Sequence, residues 1–379
     1  MSGPAPRFAV VGVPGHRRLA FFADAVRAAG LPTPRTVPWA DALRGDHDFR
    51  PGETVRIDSP GEDPETELLL RDATEPSRVE GTARWYARLT AAVREFAAAV
   101  REAGGTLLDD PDELATLFDK RLTHRALLAA GVPVPDSPTS GAPGTPGAAS
   151  LGGWADVRAS MASAGLGRAF VKLAHGSSAS GVLAVETAGP GRVRATTSVE
   201  LTPDGRLYNS LRVRRYTDER DIAAIVDALA PDGLHIERWL PKASQRGLAA
   251  DLRVVVVGGR ATHAVLRTSR SPMTNLHLGG VRGDLAAARA ATEEAGGRWA
   301  DVLDICERAA ACFPRTLCVG VDLLPTSHWR RFAVGEVNAF GDLLPGLTGL
   351  PGSGAEGMDT YAAQVSAVLG RTRSARAIA

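Results

Sequence analysis

Three oxygen-bearing side chains lie near the C-terminal end of the chain, within residues 317–347. Asp322 interrupts one apolar run, and Glu336 and Asn338 stand two residues apart in the next. Side chains at i and i+2 of a strand share a face, and a hairpin that turns at Trp329 sets Asp322 opposite Glu336. Mg²⁺ is bound by few carboxylates and takes its other ligands from water and substrate phosphates. The pattern therefore predicts a magnesium site on a two-stranded ribbon.

A solvated hairpin acid is the alternative, and for Asp322 taken alone we favour it. The set as a whole argues against it, because four valines on the two runs indicate that both strands lie in a core: Val319, Val321, Val334 and Val337. A buried carboxylate without a partner is costly. A metal ion or a cation is then the natural partner.

A lysine precedes a loop of small residues in the middle of the chain. Lys172 lies inside the strand-like run AFVKL, and the loop 176–181 consists of Gly, Ser and Ala. The backbone N–H groups and hydroxyls of such a loop can surround phosphate oxygens. An ordinary turn between two strands is the alternative. The lysine directly before the loop favours phosphate binding.

Two arginines lie in a valine-rich hairpin that turns at Gly258 and Gly259. Asp251 shares a strand face with Arg253, and we expect Arg267 to fall roughly opposite Arg253. Arginines inside such a ribbon need anions. Asp251 can neutralise one of them, and a ligand phosphate could neutralise the other.

A further hairpin is predicted over residues 192–216, with its turn at residues 203–205. Arg212 and Arg214 share a face of its second arm. A solvated strand face and a clamp for an anionic substrate are equally compatible with this pattern, so both interpretations stay open.

The surrounding elements indicate an α/β protein. Residues 7–30 are typical of a strand, a loop and an amphipathic helix, and their glycines do not complete the GxGxxG of a dinucleotide site. Helices are predicted over residues 80–103 and 112–130. Residues 138–153 are rich in Pro, Gly, Ser and Ala, which predicts a flexible loop.

Composition limits the class of protein. The 379 residues carry 44 Lys and Arg and 43 Asp and Glu, so net charge favours neither nucleic acid nor membrane as the main partner. Arg outnumbers Lys, which we attribute to genome composition. Three cysteines without a CxxC pair argue against a zinc site or a disulfide framework. No signal peptide or membrane-length apolar run is evident. We expect a cytoplasmic protein; the oligomeric state, a homodimer included, is left open.

The order of these parts resembles the ATP-grasp superfamily, and the C-terminal half is most similar to RimK-type carboxylate–amine ligases. The likeness covers residues 119–347. Its motifs are DK at 119–120 with GVPVPDS, FVKLAHGSSASGV, HIERWL, DLRVVVVGG, NLHLGG and GVD with EVNAFGD. Each motif is weak alone, but six in the right order and spacing are specific.

The resemblance implies an ATP-grasp fold of α/β class with α+β lobes. Residues 1–112 would form an N-terminal Rossmann-like pre-ATP-grasp domain. Residues 113–240 would form the small lobe, with the linker loop 138–153 and the lid loop 176–181. Residues 241–370 would form the C-terminal lobe with the Mg and ATP site, followed by a flexible tail at 371–379.

The resemblance also assigns roles residue by residue. It places Lys120 and Lys172 at the ATP phosphates, a lid at Gly176, Ser177, Ser178, Ser180 and Gly181, and adenine recognition on the backbone of Glu237, Arg238, Trp239 and Leu240. It places Arg253 and Arg267 at the γ-phosphate or acyl phosphate, one or two Mg²⁺ (or Mn²⁺) on Asp322, Glu336 and Asn338, and Asn275 and His277 on the phosphate and substrate side.

The implied reaction is ATP-dependent ligation of a carboxylate to an amine, or to a related nucleophile, through an acyl phosphate. The substrates would be small molecules or peptides. Leu278 stands where RimK-type loops usually have arginine, which puts the family's usual acidic substrate in doubt. The lid also departs from the family at Ala179 and Ser180. An ATP-grasp phosphotransferase and a non-catalytic nucleotide-binding accessory protein remain the alternatives.

Overall fold

The computed structural model describes residues 5–61, 63–73, 75, 77–141, 151–176, 180–189, 191–341 and 344–378, with side chains as far as residue 371. Three sheets dominate these ranges, and each is built from a contiguous part of the chain. Within them, no helix combines the length and the apolar character needed to cross a bilayer.

The N-terminal part is a parallel sheet in the order β2-β1-β3-β4, flanked by helices. Its elements are β1 Arg7–Gly12, α1 Arg17–Ala28, β2 Arg35–Pro38, α2 Trp39–Leu43, β3 Glu53–Ile57, α3 Pro64–Arg71, α4 Thr82–Glu102 and β4 Thr106–Leu107. Leu89, Val93, Phe96 and Val100 of α4 recur at helical spacing and are all buried. The prediction of a core helix over residues 80–103 is confirmed.

The middle part is an antiparallel sheet in the order β8-β7-β6-β5-β9. Its elements are α5 Pro111–Leu117, α6 Lys120–Ala129, α7 Trp154–Ser163, β5 Arg168–Leu173, β6 Leu183–Thr187, β7 Val193–Leu201, β8 Leu207–Tyr216, α8 Glu219–Leu229 and β9 Leu234–Arg238. The predicted hairpin over 192–216 is confirmed as β7 and β8. The single helix predicted over 112–130 is two helices, because the Asp119 side chain caps a new helix.

The C-terminal part is an antiparallel sheet in the order β13-β12-β11-β14-β15, with β10 paired to β11. Its elements are β10 Ser244–Gln245, β11 Leu248–Val257, β12 Arg260–Ser269, β13 Val281–Arg282, α9 Leu285–Glu294, α10 Trp299–Ala310, β14 Cys318–Pro325, β15 Phe332–Ala339 and α11 Thr360–Ile378. The tail predicted as flexible from residue 371 continues α11, since Arg, Ser and Ala sustain a helix where no Pro intervenes.

Two cores organise these layers. One joins the N-terminal sheet to the C-terminal sheet and includes Leu114, Leu117 and Leu127 of α5 and α6. The other lies under the middle sheet and is closed by α7 and α8. Helices α5 and α6 therefore pack with the first core, and they bring the start of α6 beside β15.

Candidate active site

The β14–β15 hairpin carries two of the predicted metal ligands on facing strands. Asp322 and Glu336 are direct cross-strand partners, and the turn between the strands contains Trp329 at a φ of 58°. A one-residue bulge at Gly335 interrupts the register directly before Glu336. A slip of one residue moves a side chain to the other face of a strand, so this bulge decides the face on which Glu336 lies. The predicted pairing of Asp322 with Glu336 is confirmed.

Asp322 lies between two arginines of the neighbouring strands. Its Oδ1 accepts a hydrogen bond from Arg253 Nε at 2.5 Å and lies 3.0 Å from Arg267 Nη2. Its Oδ2 accepts from Arg253 Nη2 at 3.2 Å. Burial alone would raise the pKa of Asp322, but the charges of Arg253 and Arg267 outweigh burial and lower the pKa well below its ordinary value. The carboxylate is therefore ionised at neutral pH.

The register of the β11–β12 hairpin corrects the predicted position of Arg267. Its direct partner is Asp251, whose Oδ1 accepts from Arg267 Nε at 2.7 Å, whereas Arg253 pairs with Val265. A bulge beside Val255 shifts the register by one residue, and this shift puts Arg267 on the face of Asp251. Each arginine has a protein carboxylate as partner, and a contact of either arginine with a ligand phosphate stays a prediction.

Lys120 connects this hairpin to the start of the predicted lid. The Asp119 side chain accepts hydrogen bonds from the backbone N–H groups of Arg121 and Leu122, which makes Lys120 the first residue of α6. From that position Lys120 Nζ lies 2.7 Å from Glu336 Oε1. It also donates to the carbonyl oxygen of Gly176 at 2.5 Å.

Lys172 and Glu237 form a buried ion pair on the neighbouring strands β5 and β9. Their side chains are 13% and 5% exposed. Burial alone would lower the pKa of Lys172, yet the charges of Glu237 and Glu336 raise it above its ordinary value. Burial would raise the pKa of Glu237, but Lys172 and His235 bring it down to about 2. Both groups are charged at neutral pH.

This pair predicts an acid dependence of stability that Glu237→Gln removes. A carboxylate whose pKa is depressed on folding contributes stability above its unfolded pKa and loses it as the pH falls through the folded pKa. The pKa of Glu237 falls from 4.5 to about 2, which corresponds to about 3 kcal/mol. We expect the difference in unfolding free energy between the wild type and Glu237→Gln to be constant above pH ~4.5 and to shrink by about that amount towards pH ~2.

Urea unfolding followed by circular dichroism at a series of pH values measures this difference. The exposed Glu293→Gln serves as the control, since Glu293 pairs only with Arg289 on the surface of α9 among the described contacts. A wild-type to Glu237→Gln difference that stays flat between pH ~4.5 and ~2 would refute the assignment of Glu237 as the ionised partner.

Lys242 is a buried lysine that is not among the predicted site residues. Its Nζ donates to Thr274 Oγ1 at 2.9 Å and to the Pro272 carbonyl oxygen at 3.2 Å, and it lies 3.6 Å from Asp251 Oδ2. Burial lowers the pKa of Lys242, and the charge of Asp251 offsets this only in part. The signal that could have identified it is its rarity, because the chain has three lysines.

The predicted substrate-side residues lie on the loop that Lys242 contacts. Asn275 begins a short helical turn over Leu276–Leu278, and its Oδ1 accepts from the backbone N–H of His277 at 2.9 Å. Asn275 is half-buried and His277 is exposed. Leu278 is buried against Met273 and the middle sheet. Among the described contacts, Thr274 joins the loop 271–280 to Asp251, which is the partner of Arg267. Neither Asn275 nor His277 makes such a contact in the described part of the chain.

The predicted adenine linker is held by the middle sheet. The backbone N–H of Arg238 donates to the Asp136 carbonyl oxygen at 2.8 Å, and that of Trp239 donates to the Arg168 carbonyl oxygen at 3.2 Å. Those two donors are engaged within the protein. Leu240 is half-buried directly after them. Adenine recognition by this segment stays a prediction that rests on the remaining backbone groups.

The remaining predicted residues have definite places where they are described. Asn338 Nδ2 donates to the Gly320 carbonyl oxygen at 3.1 Å. Gly181 has a φ of 68°, and a Cβ there would overlap the Leu173 side chain, which favours Gly at the end of the predicted lid loop. Ser180 is half-buried. Ser177 and Ser178 lie outside the described residues.

The two arginines predicted to share a face of the β7–β8 hairpin, Arg212 and Arg214, differ in their contacts. Arg214 is paired with Glu200 at 2.5 Å, as expected for a strand face. Arg212 is exposed, within an irregularity where residues 210–213 interrupt the pairing of β8 with β7. Neither observation decides between the solvated strand face and the anion clamp, so both interpretations stay open.

No protein-family model matches the chain, and no curated protein sequence matches it. Solved structures do match. The chain is similar to the ATP-grasp ligase PsnB, solved with a minimal precursor, at a TM-score of 0.53 and 16% identity over 97% of this chain and 100% of that chain. It is similar to D-cycloserine synthetase DcsG at a TM-score of 0.54 and 16% identity, over 96% of this chain and 99% of that chain.

These likenesses extend over nearly the full length of both partners, so they include the N-terminal parallel sheet as well as the two later sheets. The predicted fold class is confirmed. The chain has the ATP-grasp fold that these ligases share.

Proposed function

We propose that the protein is an ATP- and Mg²⁺-dependent ligase that joins a carboxylate to an amine through an acyl phosphate. The observation that carries the proposal is a network of opposite charges drawn from separate segments of an ATP-grasp fold. The cations are Lys120, Lys172, Arg253 and Arg267, and the carboxylates are Glu237, Asp251, Asp322 and Glu336.

A nucleotide triphosphate with a divalent cation suits this network because it carries both signs of charge. Phosphate oxygens can take the place of carboxylates beside Lys120, Arg253 and Arg267. A metal ion can take the place of ammonium and guanidinium groups beside Asp322 and Glu336. Those five groups then exchange one partner for another of the same sign, and Lys172 keeps Glu237 while it binds phosphate, which avoids the cost of an unpaired buried charge.

The donor set fits Mg²⁺. Among the described residues, no group of three or more His, Cys, Asp and Glu side chains is placed to hold a metal ion; the set proposed is smaller, two carboxylates and the amide oxygen of Asn338. Mg²⁺ commonly binds one or two carboxylates and completes its shell with water and phosphate, and Mn²⁺ accepts the same ligands. When bound, the ion neutralises charge on the transferring phosphoryl group.

The reaction needs positioning and charge neutralisation more than a protein nucleophile. A carboxylate oxygen forms a bond to the γ-phosphorus as the bond to the β–γ bridging oxygen breaks, and ADP leaves. The amine nitrogen then forms a bond to the acyl carbon, the bond to the phosphate oxygen breaks, and the nitrogen loses a proton. Lys120 and Lys172 would hold the phosphates, and Arg253 and Arg267 would stabilise the γ-phosphate and then the acyl phosphate.

The test is ADP release with a panel of carboxylates and amines, each alone and in pairs, in Mg²⁺ and in Mn²⁺. PsnB has been solved with a precursor peptide and DcsG is a D-cycloserine synthetase, so the panel includes peptides as well as small molecules. We expect ADP release that requires both partners and a product lighter than their sum by one water. A stable phosphorylated product formed without any amine would favour the phosphotransferase, and no turnover with intact nucleotide binding would favour the accessory protein.

A further inference from the structure

Lysine is rare in this protein, and each of its lysines lies in or beside the candidate active site. The chain has 44 Lys and Arg residues, and lysine occurs only at positions 120, 172 and 242. Lys120 pairs with Glu336, Lys172 with Glu237, and Lys242 approaches Asp251. Arginine supplies every other basic side chain of this class, so composition alone would have favoured arginine at these positions too. The occurrence of lysine at these three positions therefore points to a need for an ammonium group there.

The surroundings of Lys242 explain that need. Its side chain is 9% exposed, and three oxygens converge on Nζ: Thr274 Oγ1, the Pro272 carbonyl oxygen and Asp251 Oδ2. An ammonium group has three N–H donors around one atom, whereas the guanidinium of arginine is a planar fork. The tripod of acceptors fits lysine. Two of the three acceptors belong to the loop 271–280.

The contacts continue from Lys242 to the predicted metal carboxylate. Thr274 Oγ1 donates to Asp251 Oδ2, and Asp251 Oδ1 accepts from Arg267 Nε at 2.7 Å. Arg267 Nη2 lies 3.0 Å from Asp322 Oδ1. The loop 271–280 is thereby joined to Asp322 through Lys242, Asp251 and Arg267.

We propose that Lys242 is a positioning residue that fixes the loop 271–280 against the Asp251–Arg267–Asp322 network and so shapes the side of the site that receives the carboxylate and amine. The loop carries Asn275, His277 and the buried Leu278, which packs on the middle sheet. The role of the loop in substrate binding rests on the proposed function. The anchoring of the loop by Lys242 can be tested without a substrate.

The experiment compares backbone hydrogen exchange in the wild type, Lys242→Met and Lys242→Arg, each alone and with Mg²⁺ and the non-hydrolysable analogue AMP-PNP. The control is Arg270→Met, which removes an exposed cation at the start of the same loop. We expect exchange in residues 271–280 to rise about tenfold or more in both Lys242 variants, because Met removes the charged donor and the planar fork of Arg does not match the three acceptors. Exchange in β11 and β14 should stay within about twofold, and AMP-PNP affinity within about threefold, of the wild type.

Three results would overturn the proposal. Unchanged exchange in residues 271–280 would show that Lys242 does not hold the loop. Wild-type exchange in Lys242→Arg would show that charge balance suffices and that the tripod is irrelevant. Faster exchange across all three sheets would show a general structural role.

Kinetics separates loop positioning from nucleotide binding. With any carboxylate and amine that together support ADP release, we expect both Lys242 variants to raise the KM for the carboxylate or the amine by about tenfold. The KM for ATP should stay unchanged. A selective rise in the KM for ATP would place Lys242 on the nucleotide side and contradict the proposal. If wild-type protein neither binds AMP-PNP nor turns over, the proposed function fails, and the exchange comparison still decides whether Lys242 anchors the loop.

Discussion

Replacing Glu336 with alanine is expected to abolish turnover while leaving the fold intact. Glu336 is a proposed metal ligand, and a bound Mg²⁺ that neutralises phosphoryl charge contributes several kcal/mol to the transition state, so kcat should fall by about 1000-fold or more. Its side chain is 29% exposed and its described ion pair is with Lys120. Lys120 is 14% exposed, so loss of this partly buried pair costs on the order of 1–3 kcal/mol of stability. ADP release and thermal unfolding of the same preparations measure the two effects.

Two further variants sharpen that comparison. Glu336→Gln keeps the shape and removes the charge, and it should fail almost as completely as alanine. Glu293→Ala removes an exposed glutamate of α9 and should retain wild-type rates. If Glu336→Ala lost turnover and stability in equal measure, Glu336 would be a structural residue; if it kept its turnover, the metal assignment would be wrong.

Replacing Lys172 with alanine is expected to weaken nucleotide binding by about 10- to 100-fold, because a charged hydrogen bond to phosphate contributes about 1.5–3 kcal/mol. The same variant should lose about 3–5 kcal/mol of stability, since Glu237 would remain buried without its cation. Titration calorimetry with ADP and AMP-PNP measures the first effect. Denaturant unfolding measures the second.

A double variant separates these two consequences. Lys172→Met with Glu237→Gln removes both charges of the buried pair, so it should recover most of the lost stability. It should not recover nucleotide affinity, because the phosphate partner is still absent. An exposed cation, Arg298, whose side chain is 79% exposed, provides the control Arg298→Ala. Wild-type affinity in the double variant would show that Lys172 serves the fold and not the phosphates.

The hairpin acids were predictable because strand geometry is periodic. The spacing of Glu336 and Asn338 and the turn at Trp329 are local features of the sequence, and they placed Asp322 opposite Glu336. Asp119, whose side chain caps α6, can also be recognised in the sequence, yet one continuous helix was predicted over residues 112–130. The preference of Asp for the beginning of a helix over its interior divides that segment into two helices.

The position of Arg267 could not be read from periodicity, because a bulge is a single unpaired residue that leaves no clear mark in an alternating pattern. In the β11–β12 hairpin that residue changes the direct partner of Arg267 to Asp251. Lys242 was missed for a different reason. Its acceptors come from Asp251 and from residues 272–274, so its role depends on tertiary contacts.

The central claim is that Lys120, Lys172, the arginines and the hairpin acids bind one nucleotide triphosphate together with a divalent ion. Titration calorimetry of the wild type with AMP-PNP, in Mg²⁺ and in EDTA, tests it most directly, with Asp322→Asn as the matched variant. The account predicts one nucleotide per chain, bound at least about tenfold more tightly with Mg²⁺, and loss of that metal effect in Asp322→Asn. Absence of binding, or an affinity that is the same with and without metal, would contradict it.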